Sequence, residues 1–568
     1  MKKFDILLKP RKILAFLIAL ISIHFHGLAQ ECFPFGLTIT SQEQIDQFAV
    51  DYPACDTIDG GLYIEDLADG TADIFNLDGL TKIVHIKGDL EIYATDLITS
   101  LEGLNNVVTI EGDIDIQSCD NLESLDGLDK LTTLEEGINL RNLPSLNSLV
   151  GMDNLAQFGG GLSLSELSSL SNLDGLENLQ EIGSLSIIET EITEINGLNS
   201  LTNINGFFYV NDNENLQTIT GFNTLEVIQE DFDISENPSL QVIDAFHNLE
   251  YINDFFLLYN NPNLTDLFAF EALVEINGLF EIFENQKLEN SGTSFSQLQA
   301  VRDLFFVANN ENWSNFPSFE SLEIVDGDFT IEEIPISELS GFNALTTIGG
   351  TLNLSFLDNL QSIDGFNALH TLDGSLIIRN NDKLESINGP LSLEMISAGV
   401  YVSHNPQLYS IDGLQNIDPT NLTIEQFEDY NLVIAYNPEL FACNIEFLCQ
   451  YFSLDETNAY IGQNGATCDS EFDIITECLV ATDDNQKENK ITIYPNPATN
   501  LIHIDMQDLN FDSATIITMS GNKVPISFHT VSDGILSTSV NNLTYGVYIL
   551  QLKSNRETIH KLFYVQHH

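Results

Sequence analysis

The sequence predicts an all-β chain: a right-handed parallel β-solenoid of about 15 coils of ~24 residues, then a small antiparallel β-sandwich. Three observations carry this. A small residue followed by an apolar one recurs from Gly79, Gly103, Gly127, Gly151 and Gly175 through Gly221, Ala245, Ala269 and Ser294 to Gly365, Gly389 and Gly413, and eleven of the fourteen intervals are 24 residues long. Within each unit an L-x-I core alternates with period two, the pattern of a short strand with one buried face. The third is a change of character near residue 487, where a strongly acidic chain becomes electrically neutral.

At the start of the chain, Lys2, Lys3, Lys9, Arg11 and Lys12 precede an apolar run from Ile13 to Ile23, and Gly27-Leu28-Ala29 supplies small residues for cleavage. Residues 1–29 therefore read as a signal peptide. The run is shorter than the ~20 residues that a membrane-spanning helix needs, and no later stretch is long enough, so no transmembrane segment is expected. The chain holds 19 basic and 85 acidic residues; subtracting five and one for the leader leaves 14 and 84, a net charge of −70. From Lys487 onward six basic residues cancel six acidic ones, so the excess lies entirely before that point. So acidic a surface excludes nucleic acid as a partner, because phosphate binding needs Lys and Arg to displace counterions.

Residues 30–78 read as an N-terminal cap and 79–440 as the repeats. Each unit follows roughly G-L-x-x-L-x-x-I-x-G-x-L-x-I-x-x-N-x-x-L-x-x-I-D, as in Gly341 to Asp364. The flanking pieces are too short and too rich in glycine for helices, so three extended segments per turn are expected. Asn213, Asn237, Asn261, Asn285, Asn310, Asn381, Asn405 and Asn437 recur at one bend, where an inward amide can satisfy backbone groups of its own and the next coil. This pattern resembles the receptor L domain, the leucine-rich β-helix of growth factor receptors. The resemblance implies architecture and leaves the ligand open.

Cys32 and Cys55 precede the coils, while Cys443, Cys449, Cys468 and Cys478 lie in a C-terminal cap over 441–478. In an exported chain these six predict disulfides: one N-terminal bridge and two C-terminal ones, with three connectivities open for the latter. Cys119 is left over, at the Asn position of its coil, and reads as a buried thiol. A polar linker at 479–487 leads to residues 488–568, whose alternating segments begin ITIYPNPATNLIHI and end with L-T-Y-G-V-Y-I-L and T-I-H-K-L. These motifs, with the S-G-N-K turn at 520–523, closely resemble the type A C-terminal sorting domain of the type IX secretion system of Bacteroidetes. That resemblance implies export across the outer membrane, with the secretion machinery as partner and the cell surface or the medium as destination.

No contiguous catalytic motif follows the leader, and its histidines never fall at metal-ligand spacing. In the solenoid register the central outward column runs from Glu91 and Asp115 through Tyr209, Asp233, Leu257, Glu281 and Phe306 to Val433, and its neighbour from Tyr93 to Ala435. Only Arg141 and Arg379 are basic there, whereas a polysaccharide lyase sets basic groups beside its carboxylates. Asp89, Glu91, Asp113 and Asp115 fall on adjacent coils, close enough to share a calcium ion; no other cofactor is expected. Tyr209, Leu257, Tyr259, Phe283 and Phe306, with Phe207 and Phe255, form an outward apolar face of roughly 300 Å², comparable with the largest patches on soluble monomers. The expected function is non-enzymatic binding or adhesion at the cell surface, with an extracellular glycan or protein as ligand. The competing reading is a β-helix carbohydrate-active enzyme, a lyase or hydrolase.

Overall fold

Period-two alternation at a fixed 24-residue spacing lets each strand bury one face and hydrogen-bond to its equivalents in the coils before and after it. The computed structural model describes residues 32–66, 73–390, 392–424, 428–454, 456–480, 491–506, 511, 513–518, 522–532, 534–553 and 558–566. The segment read as a signal peptide, the linker beyond Val480 and the first two residues of the S-G-N-K turn lie outside them. Eighteen parallel strands stack into one long sheet from Leu37–Ile39 to Ala459–Gly462, in a solenoid of about 17 turns. Shorter strands, mostly of two residues, form parallel ladders on the other sides of each coil, such as Glu181–Ile182 with Asn203–Ile204 and Glu194–Ile195 with Thr218–Ile219. The long sheet runs past the repeat interval at both ends, drawing Leu37–Ile39 and Leu62–Glu65 from the segment read as an N-terminal cap, and Ala459–Gly462 from the C-terminal one.

Both ends of the stack are covered by helices. Helix α1 (Gln42–Asp51) lays Ile45 and Phe48 on the first coil, and the Ile45 carbonyl comes so close to Gly79 that a Cβ there would lie 1.9 Å from the oxygen. At the far end α2 (Glu446–Tyr451) and α3 (Glu471–Val480) are tied by Cys449–Cys478, and Cys443 pairs with Cys468. Cys32 pairs with Cys55. Of the three C-terminal connectivities open in the sequence, Cys443–Cys468 with Cys449–Cys478 is the one the fold adopts. Helix α3 extends to Val480, so it takes in the first two residues of the interval read as linker. Cys119 is a buried free thiol beside the Thr95 hydroxyl, 3.1 Å away, and burial pushes its pKa up.

The interior is a continuous apolar column from Ile39 to Ile475. Its middle holds two parallel phenylalanine stacks. Phe208, Phe232, Phe256, Phe280, Phe305 and Phe329 follow one another at 4.5–5.2 Å between ring centroids. Phe222, Phe246, Phe270, Phe295, Phe319, Phe342 and Phe366 do so at 5.3–5.7 Å, meeting the first stack edge-on. The ~4.8 Å rise of a parallel coil is the natural spacing of offset-stacked rings. The corner of the coil changes to admit them. Gly103, Gly127, Gly151 and Gly175 turn it with φ of 108–115°, whereas Phe222, Phe246, Phe270, Phe295 and Phe366 turn it in the left-handed region at 59–64°. Such a φ costs a bulky residue of order 1–3 kcal/mol, which burial of the whole ring offsets.

The asparagines form the inward ladder expected of them. Asn237 donates from Nδ2 to the carbonyls of Val210 and Ser235, and its Oδ1 accepts from the Asn213 N–H. The pattern repeats at Asn261 and Asn285 and again from Asn381 through Asn405 and Asn437 to Asn464. Residues 492–565 form two four-stranded antiparallel sheets that share a core of Ile502, Ile504, Ile516, Leu550, Leu552 and Phe563, a β-sandwich.

Candidate ligand platform

The long sheet turns alternate residues outward, and its pairing sets Tyr209, Asp233, Leu257, Glu281 and Phe306 in one column across five coils. Asn211, Ser235, Tyr259, Phe283 and Ala308 form the next column. All five residues singled out in the sequence lie on this face and are half-buried, because neighbours only one coil apart cover each other's flanks. Tyr259 and Phe283 lie 4.5 Å apart between ring centroids, Phe283 and Phe306 5.7 Å, and Phe207 stacks on Tyr209 at 4.3 Å.

The coil of Asp231 and Asp233 separates the two aromatic groups, yet it is partly drawn into the face. The Tyr209 hydroxyl donates to Asp231 Oδ2 at 2.8 Å, and Asn211 donates to Asp233 Oδ2 at 3.0 Å. Burial raises the pKa of Asp231. It pushes Asp233 up to about 6, with Asp231 and Asp212 adding to the shift. Burial and the Asp231 carboxylate hold the Tyr209 phenol above its ordinary range. Asp233 Oδ1 and Asn211 Oδ1 are both buried without a hydrogen-bond partner.

Sequence reading followed the strands and missed the residue after each one. That residue takes a left-handed turn at Glu189, Asp212, Glu236, Asn260, Glu284 and Asn309, a carboxylate in four of these six coils. Only a three-dimensional coil places this column against the rings, but its 24-residue recurrence beside the strand was the available signal. Glu284 and Glu236 are close enough to Tyr259 to raise its phenol pKa, after burial itself. Asp212 is pushed up to about 6 by burial and by its hydrogen bond to Glu236. Asp254 and Glu230 lie near Asp231 and Tyr209 on the opposite edge, so the apolar face has acid on both sides.

The four calcium candidates occupy adjacent coils as read, and one oxygen of each of the three aspartates accepts a hydrogen bond from the coil itself. Asp89 Oδ1 accepts from the Asp113 N–H at 3.1 Å, Asp113 Oδ1 from the Gly137 N–H at 2.7 Å, and Asp115 Oδ1 from Gln117 and Asn139; Glu91 pairs across the sheet with Asp115. Among the described residues no group of three or more His, Cys, Asp or Glu side chains converges as a metal site. Arg141 pairs with Glu166 at 2.9 Å, and Arg379 with Glu428 at 2.8 Å.

A parallel β-solenoid followed by an antiparallel sandwich defines a repeat protein with a separate C-terminal module. That module, over 492–566, matches the secretion system C-terminal sorting domain, and residues 336–420 match the receptor L domain. No curated protein matches the chain. The sorting domain is that of type IX secretion, so the chain is exported by that route to the cell surface or the medium. Among the described residues no helix is long and apolar enough to cross a membrane. The platform lies N-terminal to the receptor L domain match.

Proposed function

We propose that this protein is a non-enzymatic binding protein of the cell exterior and that Tyr209, Leu257, Tyr259, Phe283 and Phe306 form its ligand platform. The observation that carries this is the aromatic face itself. Its rings are outward, half-exposed and mounted on strands whose inner faces hold the phenylalanine stack. Aromatic side chains offer large contact area at little rotamer cost, and a rigid backing keeps them pre-organised. The hydrogen-bonded carboxylates of Asp231 and Asp233 favour binding over catalysis. Asp231 holds a tyrosine hydroxyl, and Asp233 has one oxygen on Asn211 and the other buried.

The test is a glycan and protein array probed with the mature chain and with a Tyr259→Ala/Phe283→Ala variant that still unfolds in one cooperative transition well above the assay temperature. The reading expects a ligand that the mature chain retains and the variant loses by at least about tenfold, two such anchors together contributing several kcal/mol. Equal retention by both proteins, or cleavage of an arrayed glycan, would overturn it.

A further inference from the structure

Resting on that reading, we propose that the platform takes a basic polypeptide segment, with arginine side chains stacked on Tyr259 and Phe283 and paired with Glu236 and Glu284. The molecule already carries one such arrangement on the same face. The Arg379 guanidinium lies over the Tyr401 ring, 4.9 Å from its centroid, while its Nη2 donates to Glu428 Oε1 at 2.8 Å. Tyr401 is in the column of Leu257 and Phe306, and Arg379 in the column of Tyr259 and Phe283.

Glu428 comes from a longer coil. Ladder asparagines on adjacent coils are 24 or 25 residues apart up to Asn405, but Asn437 follows 32 residues later. Part of the longer connection folds over the sheet: the Tyr401 hydroxyl donates to the Tyr430 carbonyl at 3.0 Å, and Tyr401 is fully buried. A stretch of polypeptide thus rests on this face, with a partly exposed arginine held between a ring and a carboxylate. At the platform the rings and the carboxylates are present, and among the described residues no Lys, Arg or His pairs with Glu236 or Glu284.

Charge complementarity selects the occupant. The chain carries a net −66, which steers cations toward it, while at physiological salt only carboxylates within ~8 Å of the bound groups retain their full effect. Guanidinium suits the site better than ammonium, because its planar fork can lie on a ring and pair with a carboxylate at once. That separates an arginine-bearing peptide from an amino-sugar polymer, whose ammonium is a point charge.

The experiment titrates the mature chain with a labelled alternating Arg-Gly peptide, its Lys-Gly counterpart and a chitosan oligomer, at low and physiological salt. The expected result is tightest binding of the arginine peptide. Tyr259→Ala/Phe283→Ala, and separately Glu236→Gln/Glu284→Gln, should each weaken it by about tenfold or more. The control Glu111→Gln/Glu123→Gln, on coils remote from the platform, should leave it unchanged. Equal loss in the control would reveal generic adsorption to a polyanion and overturn the proposal, as would preference for chitosan or indifference to both platform variants. If the arginine peptide fails while an array ligand still depends on Tyr259 and Phe283, the platform stands and its basic ligand falls.

Discussion

Asp233 concentrates the conflict within the face. It stands between Tyr209 and Leu257 in the outward column, and their side chains take its carboxylate out of water. With a folded pKa of about 6 against an ordinary 3.8, the native state binds more protons than the unfolded chain between those values. Its stabilising contribution is therefore present below pH ~4 and lost as the pH rises through 6. Asp233→Asn should raise stability at pH 7 by roughly 1–3 kcal/mol and reduce the gain that the parent shows between pH 7 and 5, read by denaturant melts at each pH. The amide keeps an acceptor for Asn211 and removes the charge from a carboxylate whose second oxygen is buried without a donor. The outward position of Asp233 was legible from period two alone. Its burial was not, because the atoms that cover it lie 24 residues away on each side.

At the scale of the strand, Phe256 and Phe283 belong to adjacent coils and face opposite ways. Phe256 is fully buried between Phe232 and Phe280, and Phe283 is outward between Tyr259 and Phe306. Phe256→Ala should cost about 3–5 kcal/mol of stability in a chemical melt, whereas Phe283→Ala should cost about 1 kcal/mol. The ladder provides a second contrast. Asn261→Ala leaves the Asn237 N–H and the Ile234 carbonyl without their partner, a loss of about 2–4 kcal/mol in the same assay. The L-x-I core and the recurring Asn made the strands and the ladder readable before any coordinates. The change of corner at Phe222 was not, since a phenylalanine at positive φ contradicts its local propensity and is tolerated only for the stack it joins.

For the whole molecule, the break in charge near residue 487 and the break in architecture coincide: an acidic solenoid ends in a helical cap, and a neutral sandwich follows. Because the sandwich is the sorting domain, deleting residues 488–568 should leave the protein in the periplasm, as cell fractionation and surface proteolysis would report. Surface delivery of the truncated chain would contradict that. Domain order was legible because each module carries its own pattern and composition. The reach of the long sheet into both caps was not, because Leu37–Ile39 and Ala459–Gly462 lack the flanking repeat signature.

The most direct test of the binding platform is hydroxyl-radical footprinting of the mature protein with and without the ligand recovered from the array. Protection is predicted at Tyr209, Tyr259, Phe283 and Phe306, with Tyr93 on the same long sheet and the exposed Tyr409 unchanged. Protection confined to other coils, or to the C-terminal sandwich, would contradict it.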